Sequence, residues 1–244
     1  MHRVLIPPQA VRGDQVTVSD PAHVHHLLHV LRVRVGERLE CFDGKGRRFS
    51  GPVTLCTSRQ VTVSIDQQAN DPPPRVGLTL AQSLIKPERF EWVIQKATEL
   101  GVVEVVPVLT SRTAVRPRVS DGTHRLKRWR RIAEEAAAQC GRATVPTIRG
   151  LQPFDQFLGT LEDRAALLLT LAEPAPPMRQ CMGDLDGTRA IVVMIGPEGD
   201  FSPEEVALAR QRGVHLARLG RETLRSETAA LAALVILQHH LGTL

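Results

Sequence analysis

The chain is 244 residues long, room for one large domain or two unequal ones, and 42% hydrophobic with 23% charged residues describes an ordinary soluble globular protein. Its longest uncharged apolar run, Ala229 to Leu237, is far short of the ~20 residues of a membrane span, and Met1-His2-Arg3 opens no export signal. A net charge of +5, 27 arginines among the 31 basic residues, 3% aromatics and no tyrosine point to a polyanion held through its phosphates more than by base stacking.

Residues 1–70 read as a small β-rich domain. Val16-Thr17-Val18, Arg38 to Phe42 and Val61 to Ile65 alternate as strands do, and Asp43-Gly44-Lys45-Gly46 makes a hairpin turn. One short helix is predicted from Ala22 to Leu31. It would place His25 and His29 on one face, but no carboxylate or cysteine nearby completes a metal shell, so no metal is expected. Cys41, Cys56, Cys140 and Cys181 form no C-x-x-C pair, which predicts reduced, buried thiols in a cytoplasmic protein. Asn70-Asp71-Pro72-Pro73-Pro74 is a stiff polar boundary, with the linker placed at 71–75.

From 76 to 244 strands and helices alternate, the pattern of an α/β domain with a largely parallel sheet. Val76 to Ala81 reads as a strand. Phe90, Val93, Ile94, Ala97 and Leu100 then recur at helical spacing, and Gly101 stops that helix. Lys96 and Glu99 read as a surface ion pair of little energetic worth. Val102 to Leu109 is the next strand, Arg125 to Cys140 the next helix and Ala165 to Leu171 a further strand. Between Arg112 and Arg149 ten basic residues face only Asp121, Glu134 and Glu135, an excess that repels itself unless a polyanion neutralises it. No recognition-helix motif accompanies that charge, so RNA fits better than sequence-specific duplex DNA.

The last quarter carries one small architecture twice. Ile191 to Ile195 runs into the turn Gly196-Pro197-Glu198-Gly199-Asp200, and a helix opens at Ser202-Pro203-Glu204-Glu205. Val214 to Leu219 then runs into Gly220 to Arg225, and a helix opens at Ser226-Glu227-Thr228. Two such strand–loop–helix units build a ligand cleft beyond the carboxyl ends of parallel strands. The serine, the first-turn proline and Glu205 form a capping box, which holds the preceding turn. The turn matches neither common nucleotide-phosphate loop. The final helix is apolar on every side from Ala229 to Leu237, so it is expected to be buried in a core or in an oligomer interface.

Taken together, these residues resemble the RsmE family of SPOUT methyltransferases. The resemblance rests on Ile195 to Gly199, on Leu219-Gly220 with Leu224 to Ala229, on Gln82 to Lys86 and on Gln95 to Gly101. Trp129 to Ile132, Glu135, Gln139 to Arg142 and Val145-Pro146 extend it. In the first domain His26, Val30 to Arg32, Gly36-Glu37 and Phe42 to Gly44 are similar to that family's PUA-like RNA-binding module.

The resemblance implies a SPOUT-type, trefoil-knotted α/β methyltransferase domain with a parallel sheet, preceded by a small PUA-like β-barrel. It implies a homodimer formed around the final helix, and methylation of N3 of a uridine in 16S ribosomal RNA or the small ribosomal subunit, with S-adenosylmethionine as cofactor. The cofactor would be held by Leu171, Ile195, Gly196, Pro197, Glu198, Gly199, Leu219, Gly220 and Leu224. Glu227 is the candidate general base and Arg225 the group that stabilises charge on the uracil carbonyl oxygens. Arg3, His26, Arg32, Arg34, Lys86, Arg112, Arg116, Arg128 and Arg142 would contact RNA. Asp200 departs from the family pattern, which has another glycine there; its carboxylate is open to the cofactor's cationic groups or to solvent. A sister enzyme acting on a ribose 2′-oxygen and a non-enzymatic ribosome-assembly factor are the alternatives.

Overall fold

A computed structural model of the chain describes residues 2–115, 122–162 and 164–244, so Arg116, Arg118 and Asp121 of the basic run lie outside the described residues. The contacts divide the chain into two compact units. One holds residues 1–73 with 134–145, the other 74–133 with 146–244.

The first unit is a seven-stranded sheet. Its strands are β1 (His2–Leu5), β2 (Val11–Arg12), β3 (Gln15–Val18), β4 (Arg38–Phe42), β5 (Arg47–Cys56), β6 (Val61–Ser64) and β7 (Gln67–Asn70), ordered β1-β4-β5-β6-β3-β2 with β7 also on β5. Among the described residues only the β1–β4 pairing of this sheet is parallel. Val16 and Val18 of β3, with Val61 and Val63 of β6, alternate into the core beside Leu39, Cys41 and Phe49. The hairpin at Asp43 is held by its own side chain. Oδ1 accepts from the Lys45 and Arg47 amides at 2.8 and 3.1 Å, and Oδ2 accepts from Arg47 Nε at 2.8 Å. Gly51 allows β5 to pass the neighbouring chain, because a Cβ there would lie 1.7 Å from the Ser64 carbonyl oxygen.

The helix predicted from Ala22 to Leu31 is divided. Asp20 caps α1 (Pro21–His25) by accepting from the Ala22 and His23 amides at 3.0 Å each, and a π-helical turn, His26–Val30, follows. The expectation of buried thiols holds at Cys41 and Cys181; Cys56 is half-buried and Cys140 exposed, since Cys140 ends a helix whose apolar face is carried by Ala133, Ala136 and Ala137.

The second unit is a parallel α/β sheet ordered β10-β9-β8-β13-β12-β14, with β11 also on β9. Its strands are β8 (Gly77–Ser83), β9 (Glu104–Leu109), β10 (Thr147–Ile148), β11 (Gln152–Pro153), β12 (Ala165–Leu169), β13 (Ala190–Ile195) and β14 (His215–Ala217). Every pairing is parallel, and β13 runs Ile191 to Ile195 wholly buried, as a strand covered on both faces must. The helices are α2 (Pro87–Glu99), α3 (Gly122–Cys140, its last residues counted with the first unit), α4 (Phe154–Leu158), α5 (Met178–Cys181), α6 (Pro203–Gln211) and α7 (Ser226–His240). Phe90, Val93, Ile94 and Ala97 form the buried stripe of α2, which ends before Gly101 at φ 84°. Lys96 Nζ bonds both Glu99 oxygens, at 2.8 and 2.9 Å, in a half-buried pair. The final helix is not buried all round in the single chain. Ala230, Ala233, Leu234 and Leu237 are buried, whereas Val235 and Ile236 are 44% and 38% exposed.

Candidate active site

The order β13-β12-β14 places the carboxyl ends of three adjacent strands side by side, and the segments that leave them form one pocket. Leu169 to Leu171 leave β12, Ile195 to Glu198 and Asp200 leave β13, and Leu219, Gly220 and Glu222 to Leu224 follow β14; Ser226 and Ala229 of α7 close it. Eight of the nine predicted cofactor residues therefore converge: Leu171, Ile195, Gly196, Pro197, Glu198, Leu219, Gly220 and Leu224.

Gly199 is the exception, as it does not line the pocket. Its carbonyl accepts from Arg112 Nη1 at 2.9 Å, and an added Cβ would lie 3.4 Å from the Arg112 Cβ. The turn thus presents Gly199 to the loop after β9. Ser111 of that loop reaches the same region, donating from its amide to Glu205 Oε1 at 2.8 Å and from its hydroxyl to Oε2 at 3.2 Å. Glu205 also completes the predicted capping box, accepting from the Ser202 amide at 2.8 Å.

Gly196 is required by its surroundings. A Cβ there would stand 3.2 Å from two Phe201 ring carbons and 3.3 Å from the Asp200 carbonyl carbon. Its own carbonyl accepts from Ser226 Oγ at 2.6 Å, and that hydroxyl accepts from Gln82 Nε2 at 2.8 Å, a fully buried chain from β8 through α7 to the pocket floor. Asp200 is not free to face solvent, as the sequence left open: its carboxylate takes Thr170 Oγ1, Leu171 N and Phe201 N as donors. Leu171 and Leu224 leave large apolar surfaces exposed at the pocket, 49% and 40%. Its charged lining residues, Glu198, Asp200 and Glu222, are all acidic. Exposed leucines, open backbone at Gly220, and carboxylates suit a flat heterocycle carrying positive charge.

Glu227 stands on the first turn of α7, directly after Ser226. Its Oε1 lies 3.4 Å from Arg89 Nη1, which is also 3.9 Å from Glu198 Oε1. The side chain is 13% exposed, and its Oε2 is buried with no hydrogen-bond partner. Sequence reasoning did not single out Arg89; only the pairing of β8 with β13 brings the start of α2 to this edge. Arg225 is exposed, and as the N-cap residue of α7 it makes no side-chain capping bond.

The residues expected to hold RNA are placed unevenly. In the first unit His26, Arg32 and Arg34 are exposed, with Arg32 at φ 55°. Arg3 is committed to packing instead: Nε bonds Glu40 at 2.6 Å, Nη1 reaches the Ala137 and Ala138 carbonyls, and the guanidinium covers the Phe42 ring. Arg142 is half-buried and donates to Thr144 Oγ1 at 3.1 Å, and burial pushes its pKa down. In the second unit Lys86, Arg112 and Arg128 are exposed, although Arg128 forks onto Glu91 at 2.5 and 2.8 Å. Arg116 lies outside the described residues.

A family model described as RNA methyltransferase domain matches residues 72–238, and one described as RNA methyltransferase PUA domain matches residues 13–66. The chain is 30% identical over 237 residues to the Synechocystis ribosomal RNA small subunit methyltransferase E, covering 96% of this chain and 76% of that protein. The Neisseria gonorrhoeae protein of the same name, solved bound to S-adenosyl methionine, is similar with a TM-score of 0.86 at 31% identity, over 98% of this chain and 97% of that one. A Legionella pneumophila methyltransferase solved with the bound cofactor SAM gives a TM-score of 0.88 at 31% identity, over 97% and 96% of the two chains.

Proposed function

The chain belongs to the ribosomal RNA small subunit methyltransferase E family, and from that premise we propose that it methylates N3 of a uridine in 16S ribosomal RNA with S-adenosylmethionine as donor. Glu227 carries this reading. The imide nitrogen of uracil holds a proton that must leave before N3 can accept a methyl group. A carboxylate with one oxygen buried and unpartnered, next in sequence to a pocket-lining serine, is suited to take it. Arg89 pairs with the other oxygen at 3.4 Å.

The acidic lining and the exposed leucines fit the cofactor's charge and its adenine, and Gly220, where nothing lies within 4 Å of an added Cβ, leaves room for close backbone approach. When bound, S-adenosylmethionine supplies an electrophilic methyl group. The rest falls to the chain's own residues. Leu171, Leu224 and the backbone of Gly196, Leu219 and Gly220 hold and orient, Glu227 accepts the N3 proton, and Arg225 stabilises negative charge on the flanking carbonyl oxygens. Exposed His26, Arg32 and Arg34 on one unit and Lys86 and Arg112 on the other supply phosphate contacts. Two copies pair through α7, where the exposed Val235 and Ile236 lie between the buried Leu234 and Leu237. No described helix is long and apolar enough to cross a membrane.

The deciding experiment is transfer of label from S-adenosylmethionine to small ribosomal subunits from cells lacking this protein, with reverse transcription to map the product. A methyl on N3 blocks the pairing edge, so a single new stop supports the proposal. Label without a stop assigns the methyl to a ribose or another position. Glu227→Ala is expected to bind cofactor but to lose about 10²–10⁴-fold in single-turnover rate; an unchanged rate removes Glu227 from the role of base.

A further inference from the structure

Asp200 ties together two of the three segments that build the pocket. The turn it ends is closed by its own amide, which donates to the Pro197 carbonyl at 3.0 Å. Its backbone then adopts φ 60°, a left-handed conformation that side-chain-bearing residues seldom occupy and that aspartate tolerates better than most. This turns the carboxylate back toward β12. Oδ2 accepts from Thr170 Oγ1 at 2.8 Å and from the Leu171 amide at 3.0 Å, while Oδ1 accepts from the Phe201 amide at 2.8 Å. Thr170 is held from its other side, since its hydroxyl also accepts from the Ala172 amide at 3.1 Å and its own amide donates to the Ala217 carbonyl at 3.0 Å.

One carboxylate therefore joins the β12 loop, the β13 turn and, through Thr170, the end of β14. All three donors lie within one residue of the pocket lining or belong to it. Bonds of this kind, to an ionised acceptor, are stronger and more directional than neutral ones. They hold the Leu171 side chain, half-exposed, at the pocket wall.

We propose that Asp200 is a positioning residue for cofactor binding, a clamp that pre-forms the pocket by fixing Thr170 and Leu171 against the Gly196–Asp200 turn. This rests on the reading of the pocket as the S-adenosylmethionine site. A clamp of this type lowers the ordering that binding would otherwise require, so its removal acts on affinity rather than on the chemical step.

The test uses the full chain and three variants: Asp200→Gly, which keeps the left-handed backbone without strain, Asp200→Asn, which keeps one oxygen acceptor, and Thr170→Val, which removes only the hydroxyl at similar volume. Asp200→Gly is expected to raise both the Kd and the KM for S-adenosylmethionine at least tenfold, about 1.4 kcal/mol, with kcat and the KM for RNA within about twofold of the parent. Asp200→Asn is expected to restore part of the affinity. Thr170→Val should weaken binding in the parent but add little on Asp200→Gly, since both remove the same bond. Parent-like cofactor affinity in Asp200→Gly, or a loss confined to kcat, overturns the clamp. A parent protein that does not bind S-adenosylmethionine by calorimetry overturns the reading of the pocket, and the clamp with it.

Discussion

The Ser226 hydroxyl donates to the Gly196 carbonyl across 2.6 Å, joining the first residue of α7 to the floor of the pocket. Because Gln82 Nε2 donates to the same hydroxyl at 2.8 Å, the serine is also the link between β8 and the turn after β13. Its side chain is buried, so water cannot replace either bond. Ser226→Ala leaves a buried carbonyl and a buried amide without that partner. We expect a loss of about 1–3 kcal/mol in unfolding free energy, read by urea denaturation, and weaker S-adenosylmethionine binding by calorimetry. Unchanged stability would mean that the network relaxes onto other partners.

The two pocket glycines should respond differently to the same substitution. At Gly196 an added Cβ meets the Phe201 ring at 3.2 Å and the Asp200 backbone at 3.3 Å, so Gly196→Ala must displace an aromatic ring or the turn itself. At Gly220 nothing lies within 4 Å. Gly196→Ala is expected to destabilise the fold by about 1–3 kcal/mol as an overpacked site and to abolish cofactor binding. Gly220→Ala should unfold within about 0.5 kcal/mol of the parent, and any effect it has on binding then reports methyl-sized obstruction of the pocket. Paired melting curves and titrations separate the two.

Much of this site was legible in the sequence because backbone-rich loops leave plain marks. Glycines after apolar runs located the turns after β13 and β14, and Ser202-Pro203-Glu204-Glu205 announced its capping box. What stayed hidden depends on which way a peptide faces. Gly199 reads like Gly196, yet its carbonyl is taken by Arg112 from a loop 87 residues away. Arg89 gave no local signal, since its meeting with Glu227 follows from α2 and α7 flanking the same strand edge. Asp200 looked unassignable for the opposite reason: its partners, Thr170 and Leu171, stand 30 and 29 residues before it and carry no motif. Arg3, named with the residues expected to hold RNA, has hydrogen bonds that serve the first unit's own packing.

The hairpin at Asp43 predicts an acid sensitivity of the first unit. Burial pushes this carboxyl up, but the Arg47 guanidinium and the Lys45 and Arg47 amides outweigh it and hold it below its ordinary value of 3.8. A carboxyl lowered in the folded state binds its proton more readily when unfolded. Its stabilisation is therefore complete above the unfolded value and is lost as pH falls through the folded one. Asp43→Asn should be less stable than the parent at neutral pH, and the gap should shrink as pH drops below about 4. Urea unfolding at neutral pH and in acid checks this, and a gap that stays constant would show that Asp43 contributes packing alone.

The four cysteines should react with an alkylating reagent in an order set by burial. Cys140, at the end of α3, is the exposed one of the four, its thiol donating to the Ala137 carbonyl at 3.7 Å. Cys41 is fully buried in β4, and burial, assisted by neighbouring Glu40, pushes its thiol up to about 12. Alkylation requires the thiolate, so Cys41 is protected twice, by access and by protonation. Cys181 is buried and its thiol is pushed up in the same sense by burial and by Asp184, while Cys56 is half-buried. Native protein at pH 8 should label first at Cys140, and Cys41 should label only at the rate of unfolding, so that its modification rises with urea in parallel with the loss of structure. Peptide mapping after timed quenching reads all four sites at once. Labelling of Cys41 in native buffer as fast as Cys140 would require the β4–β5 hairpin to open far more often than its side-chain-locked turn allows.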